Sequence, residues 1–140
     1  MRGLNKLYWL KIDIKNIEKE IAEIEREIDS LATISSPQIT GMPHGTDVSN
    51  PIEKYYLKKE ALEEKLNQRK EILEDKLIAS ETEKIRLESI IEQIDDPEVK
   101  TIARMRFIQC MKWEDIGNKI HLDRTNCARK LKKYIQNIDI

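Results

Sequence analysis

The sequence predicts an all-α protein, in which long N-terminal antiparallel coiled-coil helices are followed by a compact C-terminal helix-turn-helix domain. Composition is the first indication: charged residues make up 36% of the 140 residues and aromatic residues only 5%, with four glycines and four prolines. That balance is typical of long solvated helices. Apolar residues also recur at alternating spacings of three and four through much of the chain. This is the period of one helix face.

The first predicted helix carries an unbroken heptad repeat between residues 7 and 31. Its apolar positions are Leu7, Leu10, Ile14, Ile17, Ile21, Ile24, Ile28 and Leu31. At about 1.5 Å per residue, this helix is roughly 40 Å long. So narrow a stripe pairs with another helix rather than with a globular core. The predicted oligomerisation surface is therefore its inner part, Leu10, Ile14, Ile17, Ile21, Ile24 and Ile28.

Acidic residues flank that stripe and set the predicted orientation of its partner. They are Asp13, Glu18, Glu20, Glu25 and Glu27. Two parallel copies would place like charges opposite one another, so a partner helix with basic flanks fits better. We expect antiparallel pairing with the second long helix, either within one chain or between subunits. A homo-oligomer follows from this, with the dimer as the favoured state.

A linker is predicted at residues 32–50. Residues 35–51 hold three of the four prolines and two of the four glycines. Proline cannot continue a helix, and glycine permits turns. A flexible connector is the favoured interpretation. The length of the segment keeps a second one open, a loop that contacts a partner.

The second long helix is predicted to begin at Pro51, with Asn50 as its cap. Its apolar stripe is Tyr55, Leu62, Leu66, Leu73, Leu77, Leu87, Ile91 and Ile94, with polar interruptions at Lys59, Arg69, Ser80 and Lys84. Lys58 and Lys65 are expected to face the acidic flank of the first helix. Ser80–Glu83 has the pattern of a capping box, which predicts a break or a kink there. The predicted domains are accordingly a coiled-coil hairpin at 1–80 and a DNA-binding domain at 81–140.

Two short amphipathic helices are predicted after that break, joined by a tight turn near His121. The inward positions are Trp113, Ile116 and Ile120, then Leu122, Cys127, Leu131, Tyr134 or Ile135, and Ile138. Gly117 is expected where the two helices approach most closely, because only a small residue fits there. Asp123 is expected to cap the second helix with its carboxylate. This is the helix-turn-helix pattern, in which the second helix enters the DNA major groove.

The outward residues of this pair agree with DNA binding. Residues 97–140 carry 10 Lys and Arg against 5 Asp and Glu, while residues 1–96 carry 15 against 21. The net charge of −1 therefore hides a basic C-terminal end. The predicted base-reading residues are Arg124, Thr125, Asn126 and Arg129, and the predicted phosphate contacts are Lys112, Lys130, Lys132 and Lys133. The alternative is a solvated face on an ordinary helical hairpin.

Four segments of the chain resemble region four of bacterial primary sigma factors. They are Leu87–Ile94, Asp95–Pro97, Ile102–Phe107 and Trp113–Ile116. The chain most resembles small phage-encoded late-gene transcription activators of the RinA/ArpU type. The resemblance implies a regulator that binds double-stranded DNA at phage promoters in the cytoplasm of the bacterial host. It also implies host RNA polymerase as a candidate partner, which the less favoured interpretation of residues 32–50, a promoter- or polymerase-contacting loop, would bind.

Two residues depart from that family pattern. His121 occupies a turn position where such domains often carry glycine, and a left-handed backbone there would strain a histidine. Lys112 stands where a Ser or Thr cap is usual, which should cost the first short helix about 1 kcal/mol. Both departures weaken the expectation that the protein has full sigma-factor activity.

Neither catalysis nor a cofactor is predicted. The chain has no Gly-rich phosphate loop and no Ser or Cys with a suitable His and acid. Its two cysteines and two histidines fit no zinc spacing, so no metal is expected. No apolar run approaches the roughly 18 residues of a membrane span, and the N-terminus lacks the pattern of a signal peptide. The cysteine usage suggests a reducing compartment.

Two other functions stay open on the sequence. A phage DNA-packaging or assembly adaptor is one, because small terminase subunits also pair a helix-turn-helix with a coiled coil. A structural coiled-coil protein whose basic tail does not bind DNA is the other. DNA binding at low salt separates the structural protein from the other two functions. The identity of the bound site then separates a transcription regulator from a packaging adaptor.

Overall fold

The computed structural model of the protein describes residues 4–34 and 51–136, and these residues form helices and no strand. The helices are α1 (Lys6–Ile34), α2 (Pro51–Glu92), α3 (Pro97–Ala103), α4 (Trp113–Ile120) and α5 (Arg124–Ile135), with a π-helical turn (Arg104–Ile108) after α3. The all-α prediction is confirmed. Within the described ranges, no helix is long and apolar enough to cross a membrane. The predicted linker lies outside the described residues, except that α1 extends through 32–34.

The chain divides into two compact units. Met1–Asp13 and Lys76–Ile140 form the first, which we call the head unit, and Ile14–Asp75 form the second, the arm unit. The N-terminal end of α1 thus belongs with the C-terminal helices. The boundary predicted at residue 80 stays a prediction, because contacts within one folded chain do not show which segment folds alone.

In the arm unit, the apolar stripe of α1 is covered within a single chain. Ile17 and Ile24 are buried, with 7% and 4% of their surface exposed. The other stripe positions of this unit are half-buried: Ile14, Ile21, Ile28 and Leu31. Glu20 on α1 pairs with Arg69 on α2, with Oε2 and Nε 3.1 Å apart. Arg69 interrupts the apolar stripe of α2, so this interruption is where the acidic flank of α1 finds its cation.

The predicted partners of that acidic flank were wrong. Lys58 and Lys65 are exposed, and the observed partners are Arg69 in the arm unit and, in the head unit, Lys76, whose Nζ lies 3.7 Å from Asp13 Oδ2. Lys76 is half-buried, whereas Leu77, predicted to face inward, is 46% exposed. The reason is the phase of the heptad, in which spacings of three and four alternate. Leu73 is four residues after Arg69, so the next inward position is three residues further on, at Lys76 and not at Leu77.

The predicted break at Ser80–Glu83 is also wrong, because α2 continues through these residues to Glu92. The Glu83 side chain is buried, with 5% exposed. Its carboxylate accepts a 2.6 Å hydrogen bond from Arg86, one helical turn further on. The Thr82 hydroxyl donates to the Ile78 carbonyl at 2.9 Å. Both side chains thus bond within a continuous helix instead of capping the start of a new one.

One apolar core fills the head unit. Its buried members include Leu4 and Leu7 of the N-terminal segment, Leu87 and Ile91 of α2, and Ile102 and Phe107 from α3 and the π-helical turn. The inward positions predicted for the last two helices are confirmed. Ile116, Cys127 and Leu131 are fully buried, and the half-buried ones are Trp113, Ile120, Leu122, Tyr134 and Ile135. Ile138 lies outside the described residues.

Gly117 is required by the close approach of α4 to the turn that follows it. A Cβ at this position would lie 2.5 Å from the Leu122 carbonyl oxygen and 3.3 Å from the Arg124 nitrogen. Both atoms belong to the backbone, so the turn itself would have to move. We expect Gly117→Ala to lower the free energy of unfolding by about 1–3 kcal/mol, the usual cost of overpacking. Urea unfolding measures it, with Asn118→Ala at the exposed next position as the matched control. Equal midpoints for the two variants would contradict the close approach.

Candidate nucleic-acid interface

α4 and α5 are joined by a turn of three residues. α4 begins after Lys112, whose side chain makes no capping hydrogen bond. It ends at His121, which has the left-handed backbone φ 58°, ψ 38°. The Leu122 N–H donates to the Gly117 carbonyl at 3.0 Å, which closes the end of the helix. The missing side-chain cap at Lys112 and the left-handed backbone at His121 are thus confirmed, while the stability cost of the missing cap stays a prediction.

α5 begins after Asp123, but the predicted carboxylate cap is wrong. Asp123 has an extended backbone, φ −65° and ψ 140°, and its side chain makes no capping hydrogen bond. The helix starts instead from its backbone, because the Asp123 carbonyl accepts from the Cys127 N–H at 3.0 Å. The Cys127 thiol is fully buried beneath this first turn. Burial raises the pKa of that thiol, which fits a packing role rather than a reactive one.

The buried side of α5 shows which side chains face solvent. Cys127 and Leu131 are fully buried. Arg129 is two residues from each of them, and at about 3.6 residues per turn this places it on the opposite side. The same exposed face carries Thr125, Asn126, Lys132 and Lys133. No acidic residue occurs between Arg124 and Gln136. The structure therefore brings five predicted site residues together on one basic face, which we call the α5 face.

The remaining predicted site residues lie apart from the α5 face. Arg124 is exposed at the first position of α5 and borders a polar hollow with Glu114 and Asn118. Lys130 is on the side of the helix, where its Nζ pairs with Glu98 Oε2 at 3.0 Å. Lys112 is exposed at the start of α4. The ion pair of Lys130 was not predicted, since its partner lies 32 residues earlier in the chain.

A second basic feature of the head unit was not predicted. A groove of about 290 Å³ is lined by Asn5, Tyr8, Trp9, Arg106, Cys110 and Lys112. Trp9 is 62% exposed and Tyr8 44% exposed. The two rings meet edge to face, with centroids 5.2 Å apart. We call this feature the Trp9 groove.

The end of the π-helical turn shapes one wall of the Trp9 groove. Cys110 has a left-handed backbone with φ 57°, and the Met111 N–H donates to the Met105 carbonyl at 3.0 Å. The Ile108 carbonyl accepts from Lys11 Nζ at 2.7 Å. Arg106 donates to the Met111 carbonyl at 2.9 Å and lies over the Trp113 ring, with Cζ 4.7 Å from its centroid. These bonds satisfy carbonyls at the end of the helix and hold the cationic wall in place.

The α5 face offers hydrogen-bond donors of several kinds and positive charge, which suits a polyanion with readable polar edges. Within the described ranges, no cluster of three or more His, Cys, Asp or Glu could hold a metal ion. Comparison of the chain with family models, with curated proteins and with solved structures found no significant match. What this molecule binds therefore has to follow from its own residues.

Proposed function

We propose that the protein is a sequence-specific DNA-binding transcriptional regulator that acts at promoters. α4 and α5 form its helix-turn-helix, and α5 enters the DNA major groove. The single observation that carries this proposal is the α5 face, where exposed Arg, Asn, Thr and Lys side chains gather without an acid. A basic stripe along one helix is the electrostatic footprint of a nucleic-acid binder.

Base reading falls to the N-terminal half of the α5 face. Arg129 and Asn126 are one helical turn apart and both exposed, so both can reach base edges at once. Arginine pairs bidentately with guanine and asparagine with adenine. Thr125 joins them on the same face, and Arg124 reaches the DNA from the first position of the helix.

Phosphate contacts fall to the lysines at the edges of the interface. Lys132 and Lys133 lie further along α5, where the helix leaves the groove, and Lys112 stands at the start of α4. Lys130 is bound to Glu98 at 3.0 Å and must exchange that carboxylate for a phosphate. We therefore expect it to contribute less than the other three.

The resemblance to phage late-gene activators suggests where the regulator acts. On this basis we propose phage or prophage promoters in a bacterial cytoplasm as its site of action, with host RNA polymerase as a second partner. The test is selection of fragmented genomic DNA by the purified protein, followed by sequencing. Enrichment of promoter regions supports the proposal. Enrichment of a packaging-initiation site would favour the packaging adaptor, and no binding at low salt would leave the structural coiled-coil protein.

We also propose that the long helices form an antiparallel coiled coil and that the protein is a homo-oligomer, most simply a dimer. The burial of Ile17 and the ion pair of Glu20 with Arg69 within one chain support the pairing of α1 with α2 in the arm unit. Ile17→Asp should lower the helix content and the melting temperature, since it buries a charge. Leu57→Asp, on a side chain 60% exposed, is the control and should change neither.

Circular dichroism reads the helix content, and sedimentation reads the mass. A wild-type monomer at tens of micromolar would show that the stripe serves a single chain and that the dimer is wrong. If Ile17→Asp melted at the same temperature as wild type, the proposed coiled coil would be wrong as well.

A further inference from the structure

The Trp9 groove combines two features that rarely occur together on a solvated surface. Two adjacent aromatic rings are exposed, in a chain with only 5% aromatic residues. Of the described residues that line the groove, Arg106 and Lys112 are cationic and none is acidic. The rest of the N-terminal part of the chain is acidic, so this absence of carboxylates is local. A ligand for the groove should therefore be anionic and present a flat or ring-shaped surface.

We propose that the Trp9 groove binds the sugar–phosphate backbone of DNA beside the bases that α5 reads. This inference rests on the proposed function. The strongest support for the proposal is the position of Lys112, which lines the groove and also precedes α4, the first helix of the helix-turn-helix. The indole of Trp9 packs against a deoxyribose, and the Lys112 ammonium contacts the adjacent phosphate. Asn5 donates a further hydrogen bond from its amide.

Arg106 acts as the fixed part of this site. Its guanidinium is held by the Met111 carbonyl and the Trp113 ring, so it loses little conformational freedom when an anion arrives. An arginine has five N–H donors, and the carbonyl occupies one of its two terminal nitrogens. A phosphate can take the donors that remain. The groove is thus ordered before DNA binds, which lowers the entropic cost of binding.

The occupant is DNA rather than a protein segment because of where the cations lie. An acidic peptide would match the charge of the groove alone, whereas a polyanionic strand matches the groove and the α5 face together. Lys112 lines the groove and precedes α4, so we propose that the DNA strand reaches the groove through this residue. The groove then adds affinity without adding base discrimination, because sugar and phosphate are the same in every sequence.

The first experiment observes the groove in the unmodified protein. Cys110 lines the groove and is half-buried, whereas Cys127 is fully buried. Bound duplex DNA should slow alkylation of Cys110 by N-ethylmaleimide at least severalfold, while Cys127 reacts only on unfolding. DNA should also quench the fluorescence of wild-type protein more than that of Trp9→Phe. Equal Cys110 alkylation with and without saturating DNA would overturn the proposal.

The second experiment measures the contribution of the groove to affinity. Trp9→Ala should weaken binding to cognate and scrambled duplexes alike, by severalfold, because it removes a contact with a sugar that is the same in every sequence. Lys112→Ala should weaken both and reduce the salt slope by about one unit. Tyr56→Ala is the matched control, since Tyr56 is also 62% exposed but lies on α2 in the arm unit. It should bind as wild type does.

The outcomes separate this inference from the proposed function. If wild type binds DNA and Trp9→Ala binds equally well, the groove proposal alone is wrong. If wild type binds no duplex at low salt, the proposed function is wrong and takes the groove proposal with it. Trp9 fluorescence that depends on protein concentration but not on DNA would assign the groove to a second copy of the chain and overturn the proposal.

Discussion

Leu131→Ala is expected to lower the free energy of unfolding by about 2–5 kcal/mol, the cost of removing buried methyl groups and leaving a cavity. Leu131 is fully buried on the inner side of α5, beneath the α5 face. The loss is a large part of a total stability of roughly 5–15 kcal/mol. Because the Leu131 side chain packs α5 against the core, the same change should reduce DNA binding at temperatures near the melting temperature of the variant.

Chemical and thermal unfolding measure this effect. Lys132→Ala is the matched control, since Lys132 is the exposed next residue and a surface change of this kind stays within about 0.5 kcal/mol. Ile116→Ala, at the fully buried position of α4, should behave like Leu131→Ala. If Leu131→Ala and Lys132→Ala had the same melting temperature, the inward side of α5 would be misassigned.

The C-terminal helices could be predicted from the sequence because their signals are local. The spacing of Trp113, Ile116 and Ile120 in α4 follows the helical period, and so does that of Cys127 and Leu131 in α5. Ile116, Cys127 and Leu131 are fully buried. His121 takes the left-handed backbone at the position where a short turn requires it. Gly117 sits against that turn. Such features need only a few neighbouring residues, so periodicity and turn chemistry reach them.

Errors arose where a local pattern competes with a contact further along the helix or chain. Ser80–Glu83 reads as a capping box, but Arg86 lies one turn onward and binds the Glu83 carboxylate, so the helix continues. Leu77 reads as a stripe residue by its hydrophobicity. The heptad phase selects Lys76 instead, and Asp13 supplies its counter-ion. A polar residue with a partner can hold an inward position that hydrophobicity alone assigns to its neighbour.

The Trp9 groove could not be predicted, because its residues come from two ends of the chain. Tyr8 and Trp9 belong to the start of α1, which the heptad repeat identifies only as one end of a coiled coil. The positions of Arg106 and Cys110 depend on the π-helical turn, which no spacing of apolar residues predicts. A cysteine with φ 57° is also uncommon. Only the packing of the head unit brings these residues together.

The α5 face predicts a separation between residues that set specificity and residues that set affinity. Arg129→Ala or Asn126→Ala should flatten the preference for cognate over scrambled DNA by about 1–3 kcal/mol, because each removes a bidentate contact with a base. Both side chains are exposed, so the fold should tolerate their loss. Binding curves on the two duplexes measure the preference directly, and unchanged melting confirms that the fold is intact.

Lys133→Ala is the matched variant, since Lys133 lies on the same face one turn beyond Arg129 and is equally exposed. It should weaken binding to both duplexes about equally and reduce the salt slope by about one unit, because a phosphate contact releases counterions in any sequence. Lys130→Ala should have a smaller effect, since its ammonium already pairs with Glu98. If Lys133→Ala alone erased the preference while Arg129→Ala kept it, α5 would lie in the groove with its C-terminal half inward, opposite to the orientation proposed.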